Sequence, residues 1–382
     1  MIGAPINLGP DPRGRARLEA VSVLPYCLPL RRPWQSARGL TSERRGWLVR
    51  AESDGVRGYG DCAPLTQAGT ESASDAERTL KQWQERLPGL GLDAALSLLA
   101  AQVQKSPAAC YAVECALLDL QSRLAGVSLR RWIAGPDTDP LPDWIEVNAM
   151  LGPSPQVSGQ AIGRAIDAGF RVLKVKVGCS DPEAEIAHLA GLARALPSGV
   201  RLRLDANGAW DWGTAERVIA ALNALPMESP VECPVESLEE PLSPPDPAGL
   251  ARLQALASFP LALDESLPHW IQGPESGAFP VRRAVIKPAV FGGVAATLRL
   301  AERLRVLGIE VVLTGLIDSA AGLWATAQVA AAVASPIPHG LATSDWLAQD
   351  LGVPPIPRAG RIELPGSPGA GFNPDRLGEN GD

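Results

Sequence analysis

The sequence has little with which to build a thiolate metal site, a disulfide framework or a membrane anchor. Its six cysteines (27, 62, 110, 115, 179 and 233) include no Cys-x-x-Cys pair. Spacings typical of zinc and thiol-redox motifs are therefore missing, and Cys27, Cys110 and Cys115 fall in stretches that read as core strands or helices. Small buried thiols in a reducing cytoplasm are the expectation. No apolar run approaches the ~20 residues of a membrane span, and residues 1–10 do not read as a secretion signal. Net charge is −7, from 35 basic and 42 acidic residues, with no basic block. Nucleic acid and an anionic membrane are thus poor candidates for a main partner. Histidine is scarce too, at three residues. His188 falls in a helical stretch and His269 in a loop, which suggests structural or solvated roles. His339 precedes a glycine near the end of the last repeat, where packing is the expected role.

What is present is an ordinary globular composition, 46% hydrophobic and 20% charged over 382 residues, enough for a sizeable core and two domains. From about residue 145 short apolar strands alternate with Ala/Leu/Arg-rich helical stretches. Strands are expected at 147–151, 172–177, 201–206, 235–239, 261–264, 284–287, 310–314 and, more weakly patterned, 338–342. Helices are expected at 182–196, 214–225, 247–257, 294–307 and 320–334. Strand starts recur every 23 to 34 residues, the period of a β-α unit, and eight of them argue for a closed parallel barrel over an open sheet.

The preceding region follows another pattern. Residues 17–24, 46–53 and 56–60 read as strands of an antiparallel meander, with Ser53-Asp-Gly55 as a turn. Helices are expected at 72–84, 94–104 and 107–124. An α+β domain over residues 1–140, completed by segment 345–382, would then sit on a barrel formed by 141–344. The first sixteen and last ten residues read as loose ends.

In residues 170–179 the strand pattern carries two lysines, Lys174 and Lys176. They lie two apart, so an extended chain points both to one face. Two like charges inside a core strand are costly unless something uses them. In a parallel barrel, chemistry collects at the C-terminal strand ends. Those ends carry Lys174 and Lys176, then Asp205 and Asn207, then Glu239 and Glu240, then Asp264, then Lys287. Carboxylates on three successive strands cannot all stay ionised without a cation. Oxygen donors alone suit Mg²⁺, with the lysines flanking it. Each motif by itself has a bland reading, a half-exposed strand or a helix start with proline near its first position. Their joint occurrence, in order and each at a strand end, favours a site. Alternation along the strand does not choose between Glu239 and Glu240.

With these residues in place, the chain resembles the enolase superfamily, in its muconate-lactonizing-enzyme-like branch. Besides the barrel motifs, the resemblance rests on Gly58-Tyr-Gly-Asp-Cys-Ala-Pro64 and Val113-Glu-Cys-Ala-Leu-Leu-Asp-Leu120, and it covers nearly the whole chain. It implies an α+β capping domain on a modified TIM barrel of seven β-α units plus a last strand. It also implies Asp205, Glu239 and Asp264 as Mg²⁺ ligands, with Mn²⁺ able to substitute. Lys176 would be the general base, Lys174 would make it easier to deprotonate, and Lys287 would stand on the opposite side. Within that branch the chain is similar to the o-succinylbenzoate synthases, through residues 26–33, 43–49, 63–65, 71–72, 314–322 and 339–344. Asp61 stands where relatives often carry Glu, and an insertion spans 227–234.

The resemblance implies dehydration of a small carboxylate substrate through an enediolate. Asn207, Arg203, Ser319 and Gly340 are the expected substrate-binding residues, Arg203 as partner for a distal carboxylate. Arg31, Arg32 and loop 36–41 are expected to close over the barrel mouth. A racemase of N-succinylamino acids or a dipeptide epimerase would share the catalytic set. A catalytically silent binding protein would be expected to lack one of its members, and none is lacking. The sequence leaves the oligomeric state open, a homo-oligomer included.

Overall fold

The computed structural model describes residues 16–36, 39–100, 105–136, 138, 141–225, 233–272 and 279–374. Three strands form the first sheet: β1 (Ala20–Ser36), β2 (Gly39–Ser53) and β3 (Val56–Cys62), antiparallel in the order β1-β2-β3. Helices α1 (Ala73–Arg86), α2 (Leu92–Ala100), α3 (Pro107–Leu124) and α4 (Leu129–Ala134) follow. The strands are longer than their apolar stretches predict, because pairing carries the ladder through polar residues as far as Ser36 and Gly39. Helix α3 is buried nearly all round, with Cys110, Val113, Leu117 and Leu120 among its covered residues. It lies so close to β3 that a Cβ on Gly58 would meet Ala116 O at 2.2 Å and one on Gly60 would meet Ala112 O at 2.0 Å. The Gly-Tyr-Gly motif is therefore a packing requirement.

The second part begins with β4 (Trp144–Glu146) and β5 (Ala149–Pro153). Strands β6 (Val172–Lys176), β7 (Arg201–Asp205), β8 (Val235–Glu239), β9 (Leu261–Leu263), β10 (Arg283–Ile286) and β11 (Glu310–Leu313) then pair in parallel with β5, in sequence order. Helices α5 (Gly159–Asp167), α6 (Pro182–Arg194), α7 (Trp212–Asn223), α8 (Pro247–Leu256), α9 (Leu267–Gln272), α10 (Pro288–Phe291), α11 (Val294–Val306) and α12 (Ala320–Val333) lie between or after them. Several start as their sequences require. Asp181, Asp211 and Asp246 accept from backbone N–H groups three residues on, and Pro182 and Pro247 occupy the first turn. Helices α5, α9 and α10 were not anticipated; the last two are single short turns without an amphipathic period.

The eighth strand expected at 338–342 is only a pair of isolated bridges, to Val147 and Thr314. They still close the curled sheet: His339 N–H donates to Glu146 O (2.7 Å), Asn148 N–H to His339 O (3.0 Å) and Gly340 N–H to Leu313 O (2.9 Å). A last strand, β12 (Arg361–Glu363), pairs with β4. The C-terminal segment also returns to the first part, where Ala370 N–H donates to Asp119 (2.6 Å).

All six cysteines are free thiols; Cys62, Cys110 and Cys115 are buried and Cys233 is half-buried, but Cys179 is exposed and so, on β1, is Cys27, contrary to expectation. Its neighbours in the strand take the buried face, and its thiol donates to Glu43 (3.1 Å). Ala16, expected in a loose end, is buried among the core residues of the first part. Residues 1–15 and 375–382, most of the 227–234 insertion, and residues 37 and 38 lie outside the described residues. Among the described residues no helix is long and apolar enough to cross a membrane.

Candidate active site

Strand alternation decides which side chains enter the barrel. On β6 it turns Lys174 and Lys176 inward, and the parallel register sets Lys176 beside Asp205 and Asp205 beside Glu239. Asp264 directly follows β9 and Lys287 directly follows β10. Because β6 and β10 lie four strands apart in a ring of about eight staves, their lysines face each other across the mouth.

There they line a cavity of about 300 Å³ with Asp205, Asn207, Asp264 and Thr343. A larger groove of about 1360 Å³ runs outside the barrel along α11, and none of the strand-end acids or lysines lines it.

The carboxylates are nearly covered, Asp205 being 3%, Glu239 1% and Asp264 7% exposed. Lys174 Nζ lies 2.9 Å from Asp205 and also donates to Glu239. Lys287 Nζ is 2.5 Å from Asp264 and 3.5 Å from Glu265. Lys176 Nζ donates to Asn207 Oδ1 (3.0 Å).

Burial opposes the charge on Lys174, but Asp205 and Glu239 outweigh it and hold the ammonium above the usual lysine range. Lys287 is raised in the same way by Asp264 and Glu265. Burial also raises Asp205, yet Lys174 and Lys176 prevail and keep it below the ordinary carboxylate value. Asp264 is pushed well up, by burial first and by Glu265 next, against the pull of Lys287. The site therefore concentrates more negative charge than burial alone would tolerate.

The donor set suits a hard divalent cation, since all three candidate ligands are carboxylates on adjoining strand ends. Among the described residues, no three acidic, histidine or cysteine side chains gather about a single point. The reason is visible: the Lys174 ammonium lies between Asp205 and Glu239, and Lys287 holds Asp264.

Of the ten expected site residues, Lys174, Lys176, Asp205, Asn207, Asp264 and Lys287 line the cavity, and Glu239 stands beneath Lys174. Arg203 is not on the wall. It is 1% exposed, and it donates to Glu236 (2.9 Å), Asn148 (3.0 Å) and Pro338 O (3.0 Å). One inward position below Asp205, it belongs to the barrel interior.

Ser319 and Gly340 do not line the cavity either. Ser319 precedes α12 without a side-chain capping bond and its N–H donates to Asp61 (2.8 Å), while Gly340 closes the barrel. Their neighbours Leu316, Ile317 and Thr343 do face the cavity. Arg31 and Arg32 are exposed and absent from the walls; the first part contributes Leu65, Gln67 and Ala68 instead.

Sequence reasoning missed His269, which lines the cavity from α9. It lies on a short helix (Leu267–Gln272) five residues past Asp264, and not in the loop expected of it. Thr343 was also missed, and its buried hydroxyl has no hydrogen-bond partner among the described residues. His339 meets expectation as a packing residue: burial lowers it to about 3, and Nδ1 accepts from Leu313 N–H (3.0 Å). His188 likewise contacts Val157 O (3.1 Å), away from the site.

Two family models match the chain: an enolase C-terminal domain-like model over residues 158–377 and a MenC N-terminal domain model over 19–120. The chain is 32% identical to an o-succinylbenzoate synthase from Thermosynechococcus vestitus, covering 70% of this chain and 75% of that protein. It is 28% identical to a chloromuconate cycloisomerase from Cupriavidus pinatubonensis, covering 85% and 86%. In structure it is similar to a substrate-liganded L-Ala-D/L-Glu epimerase from Bacillus subtilis, with a TM-score of 0.78 at 22% identity over 93% of this chain and 98% of the other.

Proposed function

Since the chain belongs to the enolase superfamily, we propose that it is an o-succinylbenzoate synthase acting on 2-succinyl-6-hydroxy-2,4-cyclohexadiene-1-carboxylate. The observation that carries this reading is the pair of lysine positions facing each other across three buried carboxylates. A carbon acid next to a carboxylate needs a base on one face and positive charge around the anion that forms. Asp205, Glu239 and Asp264 would hold Mg²⁺, or Mn²⁺ in its place. When bound, the ion supplies positive charge opposite the substrate carboxylate.

Lys176, oriented by Asn207, takes the proton from the ring carbon beside the carboxylate. It then gives a proton to the departing hydroxyl on the same face, releasing water and the aromatic 2-succinylbenzoate. Lys287 stays charged on the opposite side. Lys174 keeps to Asp205 and Glu239, where its charge limits their repulsion. Arg203 lies too deep for the distal carboxylate of the succinyl chain; the unpartnered Thr343 hydroxyl, with His269 and Gln67, takes that role. The apolar walls Leu65, Met150, Leu316 and Ile317 suit the ring and exclude water.

The MenC N-terminal match and the synthase relative support this substrate. So does the stretch 340–345, where Asp345 is the one acid and no Asp-x-Asp pair is present to hold a substrate amine. A second reading has its own support, because lysines on both faces are what an N-succinylamino-acid racemase or dipeptide epimerase needs. The two separate in D₂O. A synthase shows rapid loss of cyclohexadiene absorbance and little α-deuterium uptake by N-succinylamino acids or L,L-dipeptides. Rapid exchange with weak dehydration would assign the racemase or epimerase reaction.

A further inference from the structure

One residue outside the proposed ligand set touches the ends of all three strands that carry it. Glu240 directly follows β8 with φ at +43°, a left-handed conformation that non-glycine residues rarely adopt. Its N–H donates to Ala262 O on β9 (3.0 Å), and its carbonyl accepts from Gly208 N–H beyond β7 (2.7 Å). Its side chain turns to the loop after β9. There Oε1 alone accepts three hydrogen bonds, from Asp264 N–H (2.5 Å), Ser266 N–H (3.0 Å) and Ser266 Oγ (2.8 Å). The first of these fixes the backbone of Asp264 itself.

We propose that Glu240 is a positioning residue for the cation site, holding the Asp264 main chain so that its carboxylate faces those of Asp205 and Glu239. This rests on the reading that those three acids hold Mg²⁺. Without the acceptor at 240, two N–H groups at the β9 end lose their partner and the Asp264 carboxylate loses its fixed origin. The required property is an oxygen at the Oε1 position and not a negative charge, since all three bonds go to that single atom. Partners that orient metal ligands in this way typically contribute about 10–100-fold to metal affinity.

The test is calorimetric titration of the full-length protein with MgCl₂ in the absence of substrate, with melting temperatures measured in chelator. Glu240→Ala is expected to weaken Mg²⁺ binding by about 10–100-fold while its melting curve stays cooperative. Glu240→Gln keeps the acceptor oxygen and should bind within about threefold of the unsubstituted protein, given a side chain of the same length. Ser266→Ala removes one of the three bonds and should fall between them, and it carries the test if Glu240→Ala does not fold. Unchanged Mg²⁺ affinity in Glu240→Ala, or in Ser266→Ala if it has to stand in, overturns the proposal. So does a Glu240→Gln variant as weak as Glu240→Ala, which would make charge the operative property. A parent protein that takes up no Mg²⁺ overturns the reading of the site itself, and this inference with it.

Discussion

The barrel holds two constellations of acids and bases, one at its mouth and one in its interior below, built partly on the same strands. In the interior, Glu236 receives Arg203 at 2.9 Å and Arg283 at 2.5 Å, and Arg283 reaches Glu310 at 2.7 Å. Burial would raise Glu236, yet the two arginines hold it at about 2. Every charge there has a protein partner of opposite sign. At the mouth, Asp205, Glu239, Asp264 and Glu265 share three lysines, and Asp264 is driven well above its ordinary value. Ion pairing alone therefore does not mark a candidate active site. Charge that the protein leaves incompletely matched, beside a cavity, does.

Substitutions should divide the two constellations. The largest effect expected is on turnover at the mouth: Lys176→Ala should lower kcat on the order of 10⁴-fold, with an unchanged far-ultraviolet circular dichroism spectrum. Substantial residual turnover would remove Lys176 from the role of base. In the interior the loss should appear in stability. Arg203→Met leaves buried Glu236 with one arginine and should cost about 3–5 kcal/mol in urea unfolding; a cost below about 1 kcal/mol would mean the network relaxes around the change.

A third group sharpens the contrast through pH. Asp318, buried beside Asp61, is raised to about 7 by desolvation and by that neighbour, against Arg44. Folded protein thus keeps a proton there that the unfolded chain releases near its ordinary carboxylate value. Its contribution is fully present in acid and is lost as pH rises through the window up to about 7. Asp318→Asn should remove that loss, so its melting temperature should gain on the parent by a few degrees (the shift of ~3 kcal/mol in a chain of this size) between pH 4.5 and 7.5. Parallel pH profiles would show that Asp318 does not titrate in this window.

Much of this was legible beforehand. The predicted 235–239 strand and 107–124 helix are found with those bounds, the other barrel strands up to β11 differ by a residue or two at their ends, and the eighth, expected at 338–342, is reduced to isolated bridges. The six cavity-lining acids, lysines and asparagine follow from repeat position plus alternation. What was not legible depends on depth and closure. Arg203 and Asp205 share a face, and only their separation of about 6.6 Å along the strand sends one to the interior and the other to the mouth. Glu236 enters the interior because the β7–β8 register shifts between Leu202 and Arg203, which local sequence did not signal.

The sequence by itself determined seven of the barrel strands, their order, and which of their residues turn inward, Glu236 excepted, because alternation and helix capping act over a few residues. Tertiary structure alone decided what each inward charge meets. Residues 338–340 close the ring, Leu65, Gln67 and Ala68 form a wall in place of Arg31 and Arg32, and Thr343 is left with an unpartnered hydroxyl. Those outcomes depend on contacts between segments up to some 280 residues apart (residue 65 and residue 343 line one cavity). Burial, and with it the energy of a charge, is a property of that assembled surface and not of any local stretch.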